Sequence, residues 1–217
     1  MTRAGLRTGL LGGSFNPAHR GHRHISLFAL RALGLDEVWW LVSPGNPLKT
    51  GAADMAPFAA RYASAQAQAR RAPIRVTAVE RELGTRYTDD TLRLLLRRYP
   101  RRRFVWIMGA DNLAGFHRWA RWRDLARRVP IAAVSRPGYD ADARAARAMG
   151  WFGRAVRRPD QAMRWTEWNP PALVLLRLPP DPTSATRLRA ADPDWHREFA
   201  APAFDGLTRR PIPEEPV

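Results

Sequence analysis

The sequence has no cysteine among its 217 residues and a single lysine, Lys49, among 36 basic side chains. The missing cysteine removes disulfides and thiolate metal sites from consideration and fits a reducing, cytoplasmic setting. Long apolar runs are also missing. No stretch approaches the ~18 uninterrupted apolar residues that a membrane helix needs, so no membrane partner is expected. Met1 to Gly9 mixes arginine with small residues and lacks the apolar core of a secretory signal. Acidic residues are few, 20 in all, which leaves a net charge of +16. Such a charge is the footprint of a nucleic-acid binder. The arginines, however, are scattered in pairs such as Arg97-Arg98, Arg127-Arg128 and Arg157-Arg158, with no dominant block and no aromatic-basic repeat. That distribution looks like compositional bias. It disfavours nucleic acid as the partner, and its field would steer small anionic substrates.

With 45% hydrophobic residues, the chain can build one well-cored domain. Apolar strand candidates recur at 8–11, 37–42, 74–79, 103–108, 131–134 and 173–178. Helical patterns at 21–33, 57–70, 88–98 and 122–129 fill most of the gaps. Strand alternating with helix predicts an α/β fold, a Rossmann-like single domain with a mostly parallel sheet and helices on both faces. The domain is expected over residues 1–200. Residues 201–217 form a proline-rich C-terminal tail whose prolines predict an extended or mobile end. The sequence is compatible with a homo-oligomer.

The stretch Gly12-Gly13-Ser14-Phe15-Asn16-Pro17-Ala18-His19-Arg20-Gly21-His22 carries the chemistry. Paired glycines after a strand predict unusual backbone angles and a close ligand approach, and the following helix offers unpaired N–H groups to an anion. His19 and His22 fall one helical turn apart, so both rings can face one phosphate. The alternative is that His19 only caps the helix and His22 only packs. The spacing fits neither the three-glycine dinucleotide fingerprint nor the Walker loop. Other unusual residues also follow strands: Ser43 to Lys49, Gly109-Ala110-Asp111, Ser135-Arg136-Pro137-Gly138 and Ser184-Ala185-Thr186. All lie beyond strand carboxyl ends, where open α/β sheets bind ligands.

The Gly-Gly-Ser-Phe-Asn-Pro-x-His-x-Gly-His stretch resembles the HxGH signature of the nucleotidylyltransferase superfamily, in the form found in nicotinate mononucleotide adenylyltransferases. The resemblance runs in order from Gly12 to Arg189. It implies that Gly12, Gly13, Ser14, Phe15, His22, Gly109, Asp111 and Arg136 bind ATP. Ser184, Thr186 and Arg189 match the family's carboxyl-terminal element that holds the ATP phosphates. His19, Lys49, Thr88 and Trp119 are implied to meet the mononucleotide, Trp119 by stacking on the pyridine ring. Thr88 belongs to an Arg86-Tyr87-Thr88 element whose first residue departs from the family pattern, and it could equally cap the following helix. Trp119 and Trp122 could instead be a core pair; we assign Trp119 to the ligand and Trp122 to packing. His19, His22 and Arg189 are the expected catalytic residues. Magnesium is expected on the ATP phosphates, with no protein-built metal site. The implied partners are ATP and nicotinate mononucleotide. The alternatives are a related adenylyltransferase acting on phosphopantetheine or nicotinamide mononucleotide, and a basic nucleic-acid-binding module. Trp151, Trp165 and Trp168 receive no role.

Overall fold

Strands buried on both faces of a parallel sheet are near-continuous apolar runs, and Glu37–Val42 fits from Val38 onward; every residue is buried, and the carboxylate of Glu37 at its start is paired with Arg75 and Arg102. In the computed structural model, which describes residues 5–45, 55–135, 144–178, 185–199 and 204–212, this strand is β2 of a seven-stranded sheet. The others are β1 (Arg7–Gly13), β3 (Ile74–Thr77), β4 (Arg103–Gly109), β5 (Ile131–Ser135), β6 (Val156–Arg157) and β7 (Leu173–Arg177). Their order is β3-β2-β1-β4-β5-β7-β6, and every pairing is parallel. The expected Rossmann-like α/β fold is therefore present.

Parallel strands need crossovers, and helices supply them. On one face lie α1 (Arg20–Ala32), α2 (Phe58–Ala69) and a 3₁₀ segment, Pro159–Glu167. They bury Ile25, Phe58, Tyr62 and Trp165 against Trp40 and Val105. The opposite face carries α4 (Thr88–Arg98), α5 (Ala110–Gly115), α6 (Trp122–Arg128) and α7 (Arg147–Phe152). There Leu92, Leu113, Leu125 and Phe152 pack against Trp39 and Trp106. The neighbours Trp39 and Trp40 thus serve opposite layers, as the two-residue period of a strand requires. The tryptophans without a sequence role are packing residues: Trp165 donates to the Leu33 carbonyl at 2.9 Å, Trp151 meets Trp122 edge-on, and Trp168 lies against the first core. Among the described residues no helix is long and apolar enough to cross a membrane.

Two elements differ from expectation, and both differences come from long-range contacts. Residues 74–79 read as one strand, yet β3 stops at Thr77 and a short helix, α3 (Val79–Glu82), follows. The cause is Asp205, whose carboxylate takes the Ala78 N–H at 2.5 Å and draws the chain out of the sheet. Asp205 also explains why residues 204–212, expected as an extended end, fold back onto β3. Although 4% exposed, it accepts from Thr77 Oγ1, Leu207 N and Thr208 N and lies 3.2 Å from the Tyr62 hydroxyl. Burial and the charge of Asp205 push the Tyr62 phenol upward, so it remains a protonated donor. β6 had no sequence signal: two residues are too few to show a period.

Candidate active site

The strand order reverses direction after β1, with β2 and β3 on one side and β4 on the other, so a crevice opens between the carboxyl ends of β1 and β4. Gly12 and Gly13 end β1, and Gly109 ends β4. The unusual backbone angles expected of the paired glycines are not found. Both belong to the extended strand, and it is Phe15 that takes the left-handed conformation, with φ +48°. The Cβ that Gly12 lacks would stand 2.7 Å from Trp106, so packing by the indole requires glycine there. At Gly109 a Cβ would meet the Asp111 carboxylate at 2.2 Å, so that glycine lets Asp111 fold back over the strand end. The ring of Phe15 is buried, stacked on Trp40 at 5.0 Å and tilted against His22 at 4.8 Å. Only its backbone can face a ligand.

His19 is the N-cap of α1, and the two alternatives raised for the histidines prove compatible. Its Nδ1 accepts the Gly21 N–H at 3.1 Å, and Nδ1 of His22 accepts the His19 N–H at 3.2 Å. The two rings therefore form a reciprocal capping box at the helix start. An Nδ1 that accepts must be unprotonated, so each neutral ring carries its proton on Nε2. The rings lie 3.9 Å apart, His19 at 4% exposure and His22 half-buried. One structural device thus fixes two tautomers toward one corner.

Arg189 joins that corner from far along the chain. It lies in α8 (Ala185–Ala191), and its Nη1 donates to the Asn16 carbonyl at 2.6 Å. Thr186 opens toward solvent on the same helix. Asn16 itself is buried, with Oδ1 accepting from Ala56 N at 3.1 Å.

A second arginine was missed by sequence reasoning. Arg61, 1% exposed on α2, donates to the carbonyls of Ser14 (2.7 Å), Ser43 (2.8 Å), Pro44 (3.2 Å) and Ala56 (2.9 Å). It ties the loop after β1 to the loop after β2, on the β1 side of the crevice. The available signal was an arginine inside an apolar helical stripe, with Phe58, Tyr62, Ala65 and Ala69 as its neighbours.

Of the residues expected around the mononucleotide, His19 stands in the histidine corner and Trp119 packs against Trp106 of β4. Thr88 is the first residue of α4 and Tyr87 its N-cap, so Thr88 is not the cap. Trp119 is half-buried and meets Phe116 at 5.5 Å and Trp106 at 6.2 Å, while Trp122 is buried, as its assignment to packing requires. Asp111 is exposed in the first turn of α5. Lys49, Arg136 and Ser184 lie outside the described residues. Among the described residues no group of three His, Asp or Glu could hold a metal ion.

Glu80 on α3 is a buried carboxylate, and desolvation raises its pKa to about 7, against a lowering hydrogen bond from Thr91. Its folded value exceeds its unfolded one, so its contribution to stability is complete below the ordinary carboxylate range and is lost as pH rises toward 7. The loss amounts to roughly 3 kcal/mol. Denaturant titrations from pH 4.5 to 8 should show the decline in the wild type and flatten it in Glu80→Gln; equal slopes would remove Glu80 as its source.

The chain matches the cytidylyltransferase-like family model over residues 10–191. It is 63% identical over 210 residues to a protein of Erythrobacter litoralis named "Probable nicotinate-nucleotide adenylyltransferase", covering 96% of this chain and 95% of that one. A protein of the same name from Parvibaculum lavamentivorans is 51% identical over 185 residues, 85% and 92% of the two chains. Among solved structures, the Plasmodium falciparum nicotinic acid mononucleotide adenylyltransferase complexed with NaAD superposes with a TM-score of 0.62 at 14% identity, covering 85% and 83%. That likeness speaks to the fold. With the histidine corner, the strand order and these near-full-length identities together, the chain belongs to the nicotinate-nucleotide adenylyltransferase family.

Proposed function

We propose that the protein transfers the adenylyl group of ATP to nicotinate mononucleotide, giving nicotinate adenine dinucleotide and pyrophosphate in NAD biosynthesis. The observation that carries this reading is the meeting of His19, His22 and Arg189 at the loop after β1. An oxygen of the mononucleotide phosphate attacks the α-phosphorus of ATP, and the bond from that phosphorus to the bridging oxygen breaks. Pyrophosphate leaves with the electron pair. The nucleophile is already anionic, so no protein base is needed. Catalysis then consists of in-line placement and stabilisation of charge on the leaving group.

In this reading the Nε2 donors of His22 and His19 and the guanidinium of Arg189 hold the phosphates, with the backbone of Gly12 to Phe15 beneath them. Gly109 and Asp111 border the nucleotide, while Thr88 and Trp119 border the pyridine ring. Lys49, Arg136, Ser184 and Thr186 are assigned by family likeness. Magnesium enters with ATP as part of the substrate and neutralises its phosphate charge. A cytoplasmic location belongs to the same reading, supported by the absence of cysteine.

The test supplies ATP and magnesium with nicotinate mononucleotide, nicotinamide mononucleotide or phosphopantetheine and measures pyrophosphate release. Nicotinate mononucleotide is expected to give the highest kcat/KM. A higher value with phosphopantetheine, or no product from the nicotinate acceptor, would overturn the assignment.

A further inference from the structure

Arg121 holds the left-handed conformation at φ +52°, two residues after Trp119, where the chain turns into α6. Non-glycine residues are uncommon in that region, and their side chains are held there by surrounding contacts. Here the contacts all lead to one place. Arg121 Nε lies 3.2 Å from Asp89 Oδ2 as an ion pair, its Nη2 donates to Asp90, and its guanidinium lies 5.6 Å from the centre of the Tyr87 ring. Tyr87, Asp89 and Asp90 flank Thr88 on both sides. The segment that follows Trp119 is therefore tied to the start of α4 by Arg121 at its near end, while Arg128 grips Asp89 from the far end of α6.

We propose that Arg121 is a positioning residue for the acceptor, setting the distance between the Thr88 and Trp119 walls of the pyridine pocket; this rests on the acceptor reading given above. Arg121 suits the task because a planar fork can engage two carboxylates and an aromatic face at once, which a lysine cannot do. Its removal does not strand a buried charge. Asp89, 3% exposed, keeps the bidentate grip of Arg128, with Nη2 at 3.2 Å. Arg121 itself is 46% exposed and carries little of the core. The fold should therefore survive the substitution while the spacing of the pocket relaxes.

The experiment compares Arg121→Ala, Arg121→Gly and Arg121→Lys with the wild type in steady-state kinetics and thermal unfolding. Glycine tolerates the left-handed backbone and alanine does not, so the pair separates backbone from side chain. Both alanine and glycine variants are expected to raise KM for nicotinate mononucleotide about tenfold, with KM for ATP and kcat changed less than about twofold. Lysine should restore only part of the loss. Recovery of acceptor KM in the glycine variant alone would show that the backbone matters and overturn the proposal. So would equal rises in both KM values, or an unmoved acceptor KM in an active enzyme. A wild type inactive with nicotinate mononucleotide would overturn the functional reading as well, which distinguishes the two failures.

Discussion

Replacing His22 with alanine is expected to lower kcat by about 100-fold or more, the scale for losing one donor preorganised on developing charge. The substitution also removes a helix cap, worth roughly 1 kcal/mol, because His22 Nδ1 accepts the His19 N–H. Asparagine separates the two effects. Its side-chain oxygen can stand where Nδ1 stood and keep the cap, but nothing replaces Nε2. His22→Asn should therefore keep the wild-type Tm and still show the loss in kcat. If asparagine restores turnover, the ring acts only through the helix start and leaves the mechanism.

The second large effect is expected at Arg61. Alanine there leaves the carbonyls of Ser14, Ser43, Pro44 and Ala56 without their shared donor, the Ala56 bond buried and the other three partly so. Charged hydrogen bonds of this kind contribute about 1.5–3 kcal/mol each, and partial rehydration returns some of that, so a net loss of about 3–4 kcal/mol is expected. For a chain of this size that corresponds to a fall in Tm of roughly 6–16 °C. Both KM values should rise together, because the loop after β1, which carries residues proposed to meet both substrates, loses its tie. Arg61→Lys should recover part of the stability but not the fork that reaches two loops. A Tm unchanged in Arg61→Ala would show that the loops hold themselves.

The two arginines differ in how readable they were. Arg61 stands inside an apolar helical stripe, whereas nothing local distinguishes Arg121 from the other arginines of the chain, and the partners of both are set by the fold. The strands, by contrast, were legible because burial on both faces forces apolar runs such as Val38 to Val42, whichever neighbours they meet. Thr88–Arg98 was legible for a different reason: acidic residues at its start and arginines at its end suit the helix dipole locally. Where the reading went astray, a distant residue had intervened, as Asp205 does at Ala78. The histidines were legible as a pair, but their capping geometry was not. The sequence offers two functions for a histidine at a helix start, and only coordinates show which nitrogen, Nδ1, takes part in the cap.

The bond from Arg189 to the Asn16 carbonyl spans 173 positions. During synthesis, the phosphate corner at the front of the chain must wait for a residue made near its end. Contacts of such separation are costly to close and form late. The ribosome can therefore release β1, α1 and their histidines long before α8 is made, and the corner is completed only when that helix docks.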